Sequence, residues 1–178
     1  QALATLLGSC VPPGVFNLVQ GRGDAAAALV AHAAVDGVLF TGSWPVGRRI
    51  LEANLDRPGR MVALEMGGNN AAVVLDDAPL RLAVLECARA AFATTGQRCT
   101  CTRRIVVQRG IADRFIRALV EVARSLTWGP GSATPPVFMG PLVSSQARQS
   151  VLDAQQAFLA RGAQALLPAQ APLCDGWF

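Results

Sequence analysis

The sequence predicts an α/β protein with parallel strands, and three observations carry that prediction. Short apolar, β-branched runs alternate with helical stretches of about 10–12 residues, the order expected of βαβ units. Gly67-Gly68 separates two such stretches and marks the natural place to divide the chain. Over 178 residues the composition is 52% hydrophobic and 16% charged, with a mean hydropathy of +0.35, which excludes a disordered chain. No apolar run reaches the ~18–20 residues of a membrane span, so a globular chain off the membrane is expected.

The elements follow in order. Residues 1–9 read as the tail of a helix with no cap before it. Pro12-Pro13-Gly14 makes a turn, and Val15 to Val19 reads as a short strand ended by Gly21. Asp24 is expected to cap an alanine-rich helix to about Ala33. Val38-Leu39-Phe40 reads as a buried strand, closed by Thr41-Gly42-Ser43. Val46 to Leu55 has helical spacing, with Val46, Ile50 and Leu51 on one side and Arg48, Arg49 and Glu52 on the other. Met61 to Leu64 is a third strand.

Beyond the glycine pair, Asn70 to Leu75 reads as a strand and Pro79 opens a long helix to about Thr94. Ile105 to Val107 is a strand, Ala112 to Leu126 a helix, and Gly129 to Pro136 a loop. Ser144 is expected to cap a helix running to Arg161, and residues 163–167 to add one more strand. With no initiator methionine and an uncapped first helix, the chain is expected to be a piece of a longer protein.

The basic residues number 16 against 12 acidic ones, for a net charge of +4. All of the basic residues are arginines, spread from Arg22 to Arg161, with three tryptophans and no tyrosine. A nucleic-acid face wants clustered charge and stacking aromatics, so nucleic acid is not an expected partner. Five cysteines (Cys10, Cys87, Cys99, Cys101 and Cys174) match no disulfide scaffold, and His32 is the only histidine. A zinc site needs four ligands at short paired spacings, and no metal is expected. Free thiols and the lack of a signal peptide fit a reducing cytoplasm. Cys87 falls at helical spacing in an apolar helix and reads as core. Cys101 reads as packing or as a thiol next to a reactive one, and Cys10 and Cys174 receive no role.

Three patterns are candidates for chemistry. Gly42-Ser43-x-x-x-Gly47 joins a strand to a helix, either as a plain tight turn or as a place where phosphate meets helix amides. Trp44 is bulky in that turn, and Pro45 removes one amide donor while suiting a helix start. Glu65 follows a strand and precedes Gly67-Gly68, as a surface turn residue or as a carboxylate projecting into a cleft. Cys99 stands in a loop after a long helix, beside Arg98, as a structural cysteine or as a nucleophilic thiolate.

Taken together and in order, Pro-Pro-Gly-Val-Phe-Asn at 12–17, Phe-Thr-Gly-Ser from 40 with Gly47, Leu-Glu-Met-Gly-Gly-Asn-Asn at 64–70 and Gly-Gln-Arg-Cys-Thr at 96–100 resemble the aldehyde dehydrogenase superfamily. The 34 residues from Glu65 to Cys99 are similar to that family's glutamate-to-cysteine interval. Glu-Met-Gly-Gly-Asn-Asn, and Gly-Gln-Arg-Cys-Thr-Cys followed by Arg103-Arg104, look like the branch acting on N-succinylglutamate 5-semialdehyde in arginine catabolism. The resemblance covers essentially the whole chain.

It implies part of a Rossmann-type NAD(P)-binding domain over residues 1–68, joined to part of an α/β catalytic domain over 69–178. It implies NAD, with NADP left open. Ser43 and the amides near Val46 would face the pyrophosphate, Gly42 and Gly47 would allow its approach, Val46 would line the adenine pocket, and Pro13 and Gly14 would shape the same edge. Cys99 would add to the aldehyde, and Glu65 would activate the water that releases the acid. The implied substrate is a small aldehyde carrying carboxylates, which Arg98, Arg103 and Arg104 would suit, and the implied assembly a homo-oligomer. The alternative is a catalytically silent relative acting as a binding or structural module.

Overall fold

The computed structural model describes residues 1–171 and Gly176; Cys174 lies outside the described residues. The chain divides into two compact units, Gln1–Gly67 and Gly68–Phe178. Among the described residues no helix is long and apolar enough to cross a membrane.

In the first unit, α1 (Ala2–Ser9) and α2 (Gly23–Ala31) precede β1 (Gly37–Gly42), α3 (Trp44–Glu52) and β2 (Met61–Met66). β1 and β2 pair in parallel, from Gly37 opposite Met61 to Gly42 opposite Met66. α3 is amphipathic because Gly47 and Ile50 fall one turn apart and are buried, while Arg48, Arg49 and Glu52 stay in water. Pro45 sits in its first turn, where an amide has no acceptor to lose. The carboxyl end of α2 is held by two arginines. Arg60 donates to the carbonyls of Val30, His32 and Val35 and to Asn54 Oδ1, at 2.5–2.6 Å. Arg57 adds bonds to Ala31 O and His32 O. Guanidinium donors thereby meet the carbonyls that a helix end leaves without partners.

The second unit pairs β3 (Asn70–Val74) with β4 (Thr102–Val107) in parallel, joined through α4 (Leu80–Phe92) and a 3₁₀ turn (Ala93–Gly96). α5 (Arg109–Ser125) follows, and its Ile111 and Phe115 pack with Val74, Val84 and Cys87 to form the core of this unit. α6 (Ser145–Leu159) starts at the expected cap, where Ser144 Oγ accepts from the Ala147 amide.

Four expectations give way. Val15 to Val19 is no strand: Val15 is 67% exposed, and the segment pairs with no strand among the described residues. The local bonds from Val15 N to Pro12 O and from Asn17 Nδ2 to Gly14 O form a turn instead. Residues 163–167 also form no strand. Gly162, at φ +86°, ends α6 with Ala163 N bonded to Phe158 O and Gly162 N to Leu159 O, a left-handed cap that glycine alone adopts freely. Gln155 then ties back Ala169. Asp24 lies inside the first turn of α2 rather than at its cap, which is Arg22; there its carboxylate still complements the helix start. Val38-Leu39-Phe40 is buried on one side only, since Leu39 is 77% exposed while Val38 is buried, as the strand alternation requires when one face is covered.

Candidate active site

The first unit gathers most of the sequence-predicted nucleotide residues at the carboxyl ends of β1 and β2. Thr41 pairs with Glu65 and Gly42 with Met66, and Gly67 N bonds to Gly42 O. Ligands of parallel α/β sheets bind outside this edge. Glu65 is not beyond the strand but within β2, because Thr41 extends the ladder that far. Its side chain is exposed and shares a face with Met61 and Ala63, whereas Met66 points to the opposite face, against Gly47.

Ser43 is the N-cap of α3, in extended backbone, with no side-chain capping bond. Its carbonyl accepts from both Val46 N and Gly47 N. Pro45 has no amide hydrogen, so the donors left at this helix start are the Trp44 amide and the Ser43 hydroxyl. Donors at a helix start suit an anion, and these residues fit a dinucleotide phosphate. Val46 is exposed at the same end. The two glycines have a nearer cause than ligand approach. A methyl on Gly47 would overlap Met66 Sδ across the helix–strand contact, and one on Gly42 would overlap the ring of Phe40, two residues back on the same strand. Pro13 and Gly14 occupy the central positions of the turn at 12–15, where Gly14 takes φ +86°, the type II pairing of proline and glycine.

Cys99 belongs to the second unit. It lies in a turn closed by Cys101 N to Arg98 O at 3.3 Å, just before β4, and its residue is exposed. Cys87 and Cys101 are buried, Cys101 to 2% exposure. Burial, then the nearby Glu86 carboxylate, pushes the Cys87 thiol up and keeps it protonated. Asn70, the first residue of β3, reaches the Cys99 turn: its Nδ2 donates to Cys99 O at 2.7 Å and Cys101 O at 3.2 Å. Gly68 makes room for that amide, since a methyl there would come 3.2 Å from Asn70 Oδ1.

The approach to the thiol is strained. Thr94, Thr95 and Gly96 all adopt left-handed backbone, with φ of 54°, 57° and 66°. β-branched residues rarely enter that region. Thr95 Oγ1 holds it by donating to Gly140 O at 2.9 Å, and Gln97 Oε1 by accepting from Val143 N at 3.3 Å. Arg103 and Arg104 serve the backbone as well: Arg104 donates to Asn69 O at 3.0 and 3.3 Å, and Arg103 to Arg98 O at 3.4 Å. Asn70 closes the Glu-Met-Gly-Gly-Asn-Asn motif without a role, and the second of two amides following a glycine pair was the available signal. Nothing in the sequence singled out Thr94 and Thr95.

Comparison with known proteins bears on the fold and the family. N-succinylglutamate 5-semialdehyde dehydrogenase of Cronobacter sakazakii is 46% identical over 158 residues, covering 88% of this chain and 32% of the relative. The protein of that name from Serratia proteamaculans is 44% identical over 165 residues, 90% of this chain and 33% of the relative. The chain thus spans about a third of the length of these curated relatives. Among solved structures, lactaldehyde dehydrogenase from Escherichia coli superposes with a TM-score of 0.93 at 33% identity, over 99% of this chain and 37% of that one. Betaine aldehyde dehydrogenase from Staphylococcus aureus in complex with NAD+ gives 0.86 at 31% identity, over 94% and 34%. The α/β fold is that of these enzymes. The aldehyde dehydrogenase family profile matches residues 1–178 from end to end, so the motifs, the fold and the profile lead to one conclusion: the chain belongs to the aldehyde dehydrogenase family.

Proposed function

We propose that this chain carries the nucleophile, the general base and part of the nucleotide site of an enzyme that oxidises an aldehyde to its carboxylate. The observation that carries the reading is Cys99, an exposed thiol on a turn whose carbonyl is fixed by the Asn70 amide, in a chain matched throughout by the family. The first unit would bind the nucleotide and the second would supply the thiol. The resemblance to relatives named for N-succinylglutamate 5-semialdehyde, at 41–46% identity, supports that compound as the substrate.

Cys99 Sγ, as the thiolate, adds to the aldehyde carbon and forms a tetrahedral thiohemiacetal. Ser43 and the Trp44 amide would hold the pyrophosphate of NAD, or of NADP, at the start of α3. When bound, the nicotinamide supplies the hydride acceptor for this oxidation. With the hydride gone, the substrate is a thioester on Cys99. Glu65 takes a proton from water, the hydroxide attacks the thioester carbon, and the C–S bond breaks to release the acid and the thiolate. The Cys99 amide, in the turn, would donate to the oxyanion.

Substitution in the native protein separates these roles. With Glu65→Gln, a hydride burst should persist while steady-state turnover falls by about 10²–10⁴-fold. With Cys99→Ala both phases should vanish. An equal loss of burst and turnover in Glu65→Gln would remove Glu65 from the hydrolytic step.

A further inference from the structure

The left-handed turn before Cys99 is held by a segment 45 residues away in the chain. α5 ends at Ser125, and the loop that follows closes on itself at once. Thr127 O accepts from Phe138 N at 3.1 Å and from Met139 N at 3.0 Å, and Gly129 N donates to Met139 O at 3.1 Å. Thr127 Oγ1 also accepts from Phe138 N at 3.0 Å. Gly140 follows directly on this closed base, and Val143 directly precedes Ser144, the cap of α6. Residues 140–143 are therefore fixed at both ends before they meet the turn. A group already ordered loses little entropy when it forms a further bond.

Two bonds join this strut to the turn. Thr95 Oγ1 donates to Gly140 O at 2.9 Å at a partly buried site, and Gln97 Oε1 accepts from Val143 N at 3.3 Å at an exposed one. The first is the shorter and the better shielded from water. It also comes from a residue in left-handed backbone, with φ of 57°. For a residue other than glycine that region is disfavoured by a factor of about 5 to 150 in population, and a β-branched side chain fits it poorly. Thr94 beside it, at φ 54°, adds the same bias. Such a conformation persists only where its surroundings over-determine it, and strain of this kind gathers where a reacting group must be held.

We propose that Thr95 is a positioning residue for the aldehyde oxidation: its hydroxyl, anchored on Gly140 O, locks the strained backbone from which the Cys99 turn starts. The inference rests on Cys99 as the nucleophile and deepens that reading. Thr95 acts through the backbone, four residues before the thiol. Three substitutions separate a hydroxyl that holds strain from a side chain that fills space. Thr95→Val keeps the shape and the strain and removes the bond, so it is the most damaging. Thr95→Gly removes the bond and the strain together, because glycine enters this region freely, and it falls between Thr95→Val and the parent. Thr95→Ser keeps the hydroxyl without the β-branch and matches the parent. A space-filling role predicts the reverse order, with Thr95→Val like the parent and Thr95→Gly the worst.

The test makes two measurements on the native protein and on these three variants. Exchange of the Gln97 amide, which donates to Thr94 O at 3.1 Å, reports the turn without any turnover. It should quicken about 3- to 10-fold in Thr95→Val. The hydride burst with NAD and N-succinylglutamate 5-semialdehyde should slow about threefold or more in Thr95→Val and recover in Thr95→Ser, since the turn loses its tie while its strain remains. A Thr95→Val protein equal to the parent in either measurement overturns the proposal, and so does Thr95→Gly slower than Thr95→Val. Cys99→Ala is the separate control. A burst lost there but unchanged in Thr95→Val keeps the nucleophile and removes the positioning role. A burst that survives Cys99→Ala removes the nucleophile, and the positioning role with it.

Discussion

Replacing Asn70 with alanine tests how the thiol is positioned. The substitution deletes two hydrogen bonds, to Cys99 O at 2.7 Å and to Cys101 O at 3.2 Å. A neutral hydrogen bond contributes about 0.5–1.5 kcal/mol net, least where water can replace the lost donor. The Cys99 carbonyl lies at an exposed site and the Cys101 carbonyl at a partly buried one. Values of about 0.5 and about 1 kcal/mol are therefore appropriate, and their sum corresponds to roughly a tenfold change in an equilibrium. The loop should leave its ordered geometry about ten times more often. Two measurements read this. Amide exchange at Cys101, whose N–H closes the turn onto Arg98 O, should quicken about tenfold, and the hydride burst should slow in proportion to the ordered loop that is lost.

Asn70→Asp separates donation from mere volume. It preserves the shape of the side chain but turns a donor into an anion facing two carbonyl oxygens. If the amide works by donating, Asp is worse than Ala in both measurements. An Asp variant that behaves like the parent, with Ala defective, would show that Asn70 only fills space and would refute the reasoning.

Two further outcomes concern stability. The folded Cys87 thiol titrates above its ordinary value of 9.0, first from burial and then from Glu86, so its contribution is complete below about pH 9 and is lost as pH rises through the higher folded value; the melting temperature should drop more between pH 8 and pH 10.5 in the parent than in Cys87→Ala, and equal drops would count against the assignment. Gly47→Ala should cost about 1 kcal/mol, the overpacking against Met66 Sδ outweighing the better helix propensity of alanine. An unchanged denaturant midpoint would mean that Gly47 is not required by helix–strand packing.

The parts of the fold legible in the sequence are those with a local cause. Met61 to Leu64, Asn70 to Leu75 and Ile105 to Val107 announce strands through their own side chains, and Ser144 announces a cap through its own hydroxyl. Strand ends and existence are different, because a strand is a relation between two segments. Glu65 is in β2 only because Thr41 lies opposite, and Val15 to Val19, with equally good residues, stays irregular for want of a partner. The same division holds at the site. Cys99 and Glu65 stand within recognisable runs of neighbours. Asn70 acts across 29 and 31 residues, and that relation leaves no mark in local spacing.

Strain in the 3₁₀ turn ties these long-range contacts to the chemistry. Two threonines in left-handed backbone cost about 1–3 kcal/mol each, which no residue near them repays by propensity. They persist because Gly140 and Val143 hold the segment from one side, through Thr95 and Gln97. From the other side Asn70 holds the carbonyls of Cys99 and Cys101, and Arg104 fixes Asn69, the residue beside it. A loop restrained from two directions keeps one conformation even where its own dihedral preferences oppose it. A nucleophile benefits from that restraint, since a reacting atom displaced by about 1 Å can lose a hundredfold in rate. The exposure of Cys99 therefore does not make its turn a loose surface segment: the backbone that carries the thiol is held by side chains from outside the turn.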